Sequence, residues 1–421
     1  MKIVIFFRKH NDLDHGLPIV DHLVRNKKQY VEVYGVREDY KSCDKHLNYL
    51  KNKLSLKVNS FEHVYNSKMD SMIISAITRI KLLSELLPKN IIGTIISIFK
   101  HNIVRLLEYM ASGPVKRFVS TLESDSVVLV DYGTESLYPF RYILKHCKQK
   151  NIRIIAYQHG YSVFTNRDPI KIKKSFLPKK LHSILFAKPP RKYYDKYLVG
   201  PYQKDNFFKG TTYKDFKQLS IVEEIGTPRF CTEWEDIFIN NDKDICASKH
   251  NKISNSEDSI NVVFFLSSSK FNLDQGLLYE TIDELRNLKK VNLLIKPHPC
   301  SGVPSLIKDN IFNDNISNLS SSELIKWADL GIIFGSSMGF QMLEERVGLI
   351  FPTYLDKNST IYEENNVAIV VDSLKEMIDF MVEYPSKNNM PNELTISNFR
   401  NKYIYNNMTY NEIMDAYCYF V

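Results

Sequence analysis

Short apolar runs alternate with stretches of helical spacing along most of the chain. Residues 2–7 (KIVIFF) are apolar almost throughout, the pattern of a strand buried on both faces. Leu17, Val20, Leu23 and Val24 then share one helical face over residues 17–25. Pro18 falls in the first turn, where its missing amide costs nothing. Residues 30–36 predict a second strand, so the chain opens β-α-β, the start of a doubly wound domain. Residues 66–122 predict helix for most of their length, with Ile73, Ile74, Ile77, Ile80, Leu82 and Leu83 on one apolar face and Pro88 and Gly93 as interruptions. Strands are predicted at 126–130, 152–157, 197–200 and 220–224, with a helix at 137–148.

A polar, charged segment follows at 240–259 and predicts a linker. Beyond it the alternation resumes. Strands are predicted at 261–266, 291–295, 330–334, 349–351 and 367–371. Helices are predicted at 277–288, 321–328, 339–347 and 374–384, and the remainder, 394–421, reads as helical. The predicted organisation is α/β: two Rossmann-like, doubly wound domains facing a cleft, with a C-terminal helix that crosses back. The first domain spans 1–239, the linker 240–259, the second domain 260–393 and the helical tail 394–421.

Composition narrows this picture. The 421 residues are 44% hydrophobic and 25% charged, ordinary for a globular chain and long enough for two cores. A net charge of +8 favours anionic partners such as phosphates, nucleotides or acidic lipid. No nucleic-acid-binding signature accompanies it, and no nucleic-acid partner is expected. The six cysteines lack C-x-x-C spacing, which argues against a zinc site and fits a reducing compartment. The opening apolar run is too short for a signal peptide, and no run approaches the length of a membrane span. A cytoplasmic protein is expected, with contact on the inner membrane face left open. The stretch 167–200 holds ten Lys/Arg against two Asp, interleaved with aromatics. It reads as a solvated basic insertion or as a grip on an acidic acceptor or lipid headgroup.

The candidate chemistry sits at predicted strand ends, where open parallel sheets bind ligands. Lys296-Pro297-His298-Pro299 offers a point charge and an imidazole to a phosphate. Gly335-Ser336-Ser337 opens a helix and offers amides and hydroxyls to an anion. Glu344, two turns on, could meet a ribose hydroxyl, or simply be a solvated face. Gln158-His159-Gly160 ends a strand with a candidate base. Asp131, ending the strand before, is a second candidate base or a helix cap. The polar run His10-Asn11-Asp12-Leu13-Asp14-His15-Gly16 reads as an active-site loop. Gly226-Thr227-Pro228-Arg229 could face a ligand from a hinge. The chain has no P-loop and no G-x-G-x-x-G after its first strand, which counts against an NTPase and an NAD-dependent dehydrogenase.

In the order Gln158-His159-Gly160, Gly226-Thr227-Pro228-Arg229, Lys296-Pro297-His298-Pro299 and Gly335-Ser336-Ser337, these motifs resemble those of capsule and surface-polysaccharide glycosyltransferases of the two-domain GT-B type. That group includes β-Kdo and other nonulosonate transferases. It is distantly similar to the CDP-glycerol glycerophosphotransferases. The resemblance covers most of residues 1–400. It implies transfer of a sugar, CMP-activated Kdo or another nonulosonate, from a nucleotide donor to a surface polysaccharide or lipid-linked glycan. It implies that Lys296, His298, Ser336, Ser337, Glu344, Thr227 and Ser268 bind the donor. Asp14, His15 and Gln158 would face the acceptor, with Asp131 and His159 catalytic. No metal and no other cofactor are expected, although Asp12 and Asp14 form an Asp-x-Asp pair. A polyol-phosphate transferase, a UDP-sugar epimerase and a non-catalytic glycan-binding protein remain as alternatives.

Overall fold

The computed structural model describes residues 1–36, 44–65, 67–83, 91–135, 137–166, 193–204, 221–239, 259–268, 271–298, 310–384 and 391–421. The predicted linker, apart from Ser259, and all of the basic insertion but 193–200 lie outside these residues. The chain divides into two compact units. The first comprises Met1–Gly160, Lys173–Arg229 and Thr409–Val421, and the second Tyr161–Ile172 and Phe230–Met408.

The first unit is built on a seven-stranded sheet. In chain order its strands are β1 (Lys2–Phe7), β2 (Tyr30–Gly35), β3 (Val58–Ser60), β4 (Val127–Asp131), β5 (Arg153–Tyr157), β6 (Lys196–Val199) and β7 (Val222–Glu224), and in space they run β3-β2-β1-β4-β5-β6-β7. Every pairing is parallel. The inner strands are apolar because helices cover both faces: β4 is buried at all five positions and β1 at five of six. A core of Val4, Phe6, Val128, Val130 and Ile154 packs against Val115 and Val119 of the helix Ser112–Thr121 and Ile143 of the helix Phe140–Gln149.

The C-terminal helix Tyr410–Phe420 is part of this first unit. It lies against the helix His10–Arg25. Asp415 meets Lys27 at 2.8 Å and His22 at 3.8 Å, and Tyr417 is buried with its hydroxyl 3.4 Å from the Gly226 carbonyl. Its start is a capping box, with Thr409 and Glu412 each satisfying the other's backbone amide.

The second unit holds a five-stranded parallel sheet of β8 (Ile260–Phe265), β9 (Val291–Lys296), β10 (Leu330–Ile332), β11 (Gly348–Pro352) and β12 (Ile369–Val371), ordered β12-β11-β10-β8-β9. Phe340 anchors an aromatic cluster beside it, with Tyr161, Phe230, Tyr362 and Phe399 at centroid distances of 4.9, 5.0, 5.7 and 5.9 Å.

The predicted strands recur within a residue or two, because an unbroken apolar run in an α/β chain has few other places to go. The largest difference lies at the start. Residues 10–16 are not a loop but the opening turns of a helix, His10–Arg25. Leu13 and Gly16 continue the buried face of Leu17, Val20 and Leu23 backwards, and polar density hid that continuation. The predicted helix 339–347 is Met338–Glu344, and the predicted tail helix is divided into Glu393–Arg400, a π-turn at Asn401–Tyr405 and Tyr410–Phe420.

Gly335 follows β10 with φ at +51°, a conformation that favours glycine. An added Cβ would lie 2.1 Å from the Phe164 ring. Replacing Gly335 by Ala is expected to cost about 1–3 kcal/mol, read as a lower urea midpoint at unchanged m-value.

Candidate functional site

In the first sheet the chain lays β2 and β3 on one side of β1 and then returns to set β4 on the other. The carboxyl ends of β1 and β4 therefore flank a topological switch point, where such sheets bind ligands. Four side chains from neighbouring strand ends converge there. Arg8 follows β1, Asp12 lies in the first turn of the next helix, Asp131 ends β4, and His159 lies just past β5.

Asp12 and Asp131 are both fully buried. Two ionised carboxylates without water require partners. Arg8 supplies one: its Nε donates to Asp12 Oδ2 at 2.9 Å and its Nη2 to Oδ1 at 3.3 Å, with Asp131 at 3.9 Å. His159 supplies the other. Its Nδ1 donates to Asp131 Oδ2 at 2.5 Å and lies 3.5 Å from Asp12 Oδ1. The Gly133 amide donates to Asp131 Oδ1 at 2.6 Å. That close approach needs glycine, since a Cβ there would stand 2.9 Å from the same oxygen. The Tyr157 hydroxyl, from β5, donates to the Asp12 carbonyl at 2.9 Å and braces the turn.

The electrostatics follow from this pairing. Burial alone would lower the His159 pKa, but the bonds to Asp12 and Asp131 outweigh it and raise the group to about 9. Burial pushes the Asp131 carboxyl up against the pull of His159. Asp12 is buried too, yet its bonds to His159 and Arg8 hold it below the usual range. At neutral pH His159 is an imidazolium. With Nδ1 committed to the carboxylates, Nε2 bonds to no described residue, and the side chain is a third exposed. This is the geometry of an oriented acid–base histidine.

The acceptor-side candidates are placed differently. On a helix, residues two apart point to nearly opposite sides. Asp12 and Asp14 accordingly serve separate clusters and do not converge on one ion. Asp14 accepts from Arg229 Nε at 2.6 Å and His46 Nε2 at 2.9 Å; burial opposes its charge, but Arg229 and His46 hold it well below the usual range. His15 is buried, and desolvation lowers it to about 4. Gln158 is buried as well and donates to the Gly160 carbonyl at 2.9 Å, so it shapes its own turn.

Among the described residues, two groups of ligand-type side chains lie close enough to hold a metal: Asp12, Asp131 and His159, and His10, Asp14 and His46. In each, an arginine already neutralises a carboxylate, Arg8 on Asp12 and Arg229 on Asp14. Arg8 and His46 escaped sequence reasoning. An arginine directly after an apolar strand, four residues before an aspartate on a helix, is the signal that marks the first.

The second sheet has its own switch point, between β8 and β10. Ser267 and Ser268 follow β8, Gly335–Ser337 follow β10, and His298 lies half-buried past the end of β9. Ser336 holds its turn, accepting from the Met338 amide at Oγ and from the Tyr362 hydroxyl at its carbonyl. Lys296 is the last residue of β9, and its ammonium donates to the Leu319 carbonyl. Glu344 is ion-paired with Arg400 and accepts from Thr232 Oγ1 at 2.7 Å, partners within the second unit. Thr227, in the first unit, is buried.

The histidine shifts fix how stability varies with pH. His15, His10 and His22 are all lowered by burial, so the unfolded chain binds more protons below the ordinary histidine pKa, and stability falls as pH drops through that value. His159 is raised, so the folded state binds the extra proton above it, and that stability is lost as pH rises towards about 9. Urea midpoints should therefore fall off on both sides of about pH 6.5. An Asp131→Asn variant should flatten the alkaline limb, and proton NMR should show the His159 ring titrating at lower pH in that variant.

No protein-family profile matches the chain, and no curated protein matches it by sequence. Solved structures do match. A UDP-GlcNAc 2-epimerase from Neisseria meningitidis bound to UDP-GlcNAc aligns over 100% of this chain and 99% of its own, at a TM-score of 0.54 and 12% identity. The Methanocaldococcus jannaschii UDP-GlcNAc 2-epimerase in complex with UDP-GlcNAc and UDP aligns over 94% and 98%, at 0.50 and 14%. The glycotransferase of kitacinnamycin aligns over 100% and 99%, at 0.50 and 10%. At such identities the likeness is one of fold: two Rossmann-like units, each a parallel sheet alternating with helices, in the GT-B arrangement of elements.

Proposed function

We propose that the chain is a glycosyltransferase that moves a sugar from a nucleotide-activated donor to a hydroxyl of a surface polysaccharide or lipid-linked glycan, in the cytoplasm. The observation that supports this reading is the Asp131–His159 pair at the switch point of the first sheet.

In this reading His159 Nε2 takes the proton of the acceptor hydroxyl. The acceptor oxygen bonds to the anomeric carbon as the bond from that carbon to the donor phosphate oxygen breaks, and the nucleotide leaves with the electron pair. Asp131 orients the ring through Nδ1 and stabilises the imidazolium that forms, and Asp12 and Arg8 keep the carboxylate pair balanced. A base with a pKa of about 9 is strong but scarce at neutral pH, with roughly one molecule in a hundred neutral. The second unit holds the donor, with its phosphate near Ser268, His298, Ser336 and Ser337. A CMP-activated acidic sugar suits the basic balance of the chain. This reading calls for no metal, since Arg8 and Arg229 neutralise Asp12 and Asp14.

A second reading is a UDP-sugar epimerase, favoured by the full-length likeness to the Neisseria meningitidis enzyme bound to UDP-GlcNAc. The two separate on the need for an acceptor. Purified protein would be given CMP-Kdo, UDP-GlcNAc and CDP-glycerol, each with and without a glycan acceptor, and donor loss followed by chromatography. Loss of the CMP-sugar only when acceptor is present is the expected result. Turnover of UDP-GlcNAc alone establishes the epimerase, and use of CDP-glycerol establishes a polyol-phosphate transferase.

For the transferase, kcat/KM should climb with pH to a plateau near 9. Asp131→Asn should lower kcat about 10²–10⁴-fold and move the rise to lower pH. A pH-independent rate would remove His159 from the role of base.

A further inference from the structure

The helix Ile91–Met110 carries apolar residues on two faces. Val104 is buried and Leu107 packs on the core, and buried Glu108 accepts from Arg141 at 2.6 Å. On another side stand Ile96, Phe99, Ile103, Leu106 and Met110. Their spacing of three and four residues gathers them into one arc of about 80° at 100° per residue. All five are exposed, Phe99 by 68% and Leu106 by 60%. Met69 and Met72, on the helix Lys68–Leu83 that packs against this one, are exposed by 66% and 71%. Scattered exposed apolar residues need no explanation, but five in helical register form a patch that marks an interaction surface.

The exposed charge on this helix and on the two that pack against it has one sign. The helices Lys68–Leu83, Ile91–Met110 and Ser112–Thr121 carry Lys68, Arg79, Lys100, Arg105, Lys116 and Arg117 among their described side chains. Their only acids are Asp70 and Glu108, and both are buried. No described helix is long and apolar enough to cross a membrane. An amphipathic helix with a wide apolar stripe and basic flanks lies in the plane of a bilayer interface, its apolar face among the acyl chains and its cations at the headgroups.

We propose that this face docks the protein on the surface of a bilayer containing anionic lipid. A second copy of the chain is the poorer occupant, because a two-fold contact sets the patch against itself and brings like charges together. The proposal rests on the patch and its charge, independently of glycosyl transfer.

The experiment is co-sedimentation of the full chain with vesicles of phosphatidylcholine alone and with vesicles enriched in phosphatidylglycerol, with no donor or acceptor present. Binding is expected to the anionic vesicles and to weaken as salt is raised. Phe99→Ser with Leu106→Ser should lower partitioning by about tenfold or more, with thermal stability unchanged because both side chains are exposed. Lys100→Glu and Lys116→Glu should each weaken it by at least about fivefold, on the anionic vesicles only. The proposal is overturned if the protein stays in the supernatant with anionic vesicles, or if it binds both vesicle types equally. It is also overturned if light scattering shows a dimer that the Phe99/Leu106 variant dissolves, which assigns the face to self-association.

Discussion

Two carboxylates with no access to water, Asp12 and Asp131, set the terms for the first unit. Left uncompensated, each would carry a desolvation penalty of several kcal/mol or surrender its charge. The fold meets that demand from three strand ends at once. Arg8 arrives from β1, the Gly133 amide from just beyond β4, and His159 from beyond β5. Compensation and reactivity come from the same contacts, for the pairing that makes the buried charges tolerable also raises His159 and turns its far nitrogen outward. Removing any one of these groups therefore alters the protonation of the others.

Strand ends were legible because a parallel sheet in an α/β chain needs unbroken apolar runs and places its polar residues just past them. Asp131 and His159 could be picked out as candidates on that ground alone. Their hydrogen bond could not, since it depends on β4 and β5 being neighbours. Asp14, His15 and Gln158 show the limit of polar density as a signal. His15 and Gln158 are buried, and Asp14 is committed to Arg229 and His46. What separates Asp14 and His15 from Asp12 is a helical phase, visible only once residues 10–16 are known to be helix. Glu344 shows another limit. Its partner Arg400 lies far along the chain, and no local pattern announces such a pair.

In the second unit the Gly335 turn is fixed by sterics more than by hydrogen bonds. A positive φ and the Phe164 ring leave room for hydrogen alone at that Cα. The residues Tyr161–Asn166, which follow His159 closely in the chain, thereby take a direct part in shaping the turn after β10. The bridge between Phe164 and Thr360, with the Thr165 amide donating to the Ser359 carbonyl at 2.9 Å, fixes them there.

The C-terminal helix belongs to the first unit although the whole of Phe230–Met408 belongs to the second. During synthesis the ribosome delivers β1 to β7 early, yet the surface of the helix His10–Arg25 that receives Tyr410–Phe420 stays uncovered until that later helix has been made. The later unit can finish its own core before the earlier one is closed. Order of translation and order of completion are thus reversed, and a nascent chain stalled before Tyr410 would carry a second unit complete in itself and a first unit still open to chaperones and proteases.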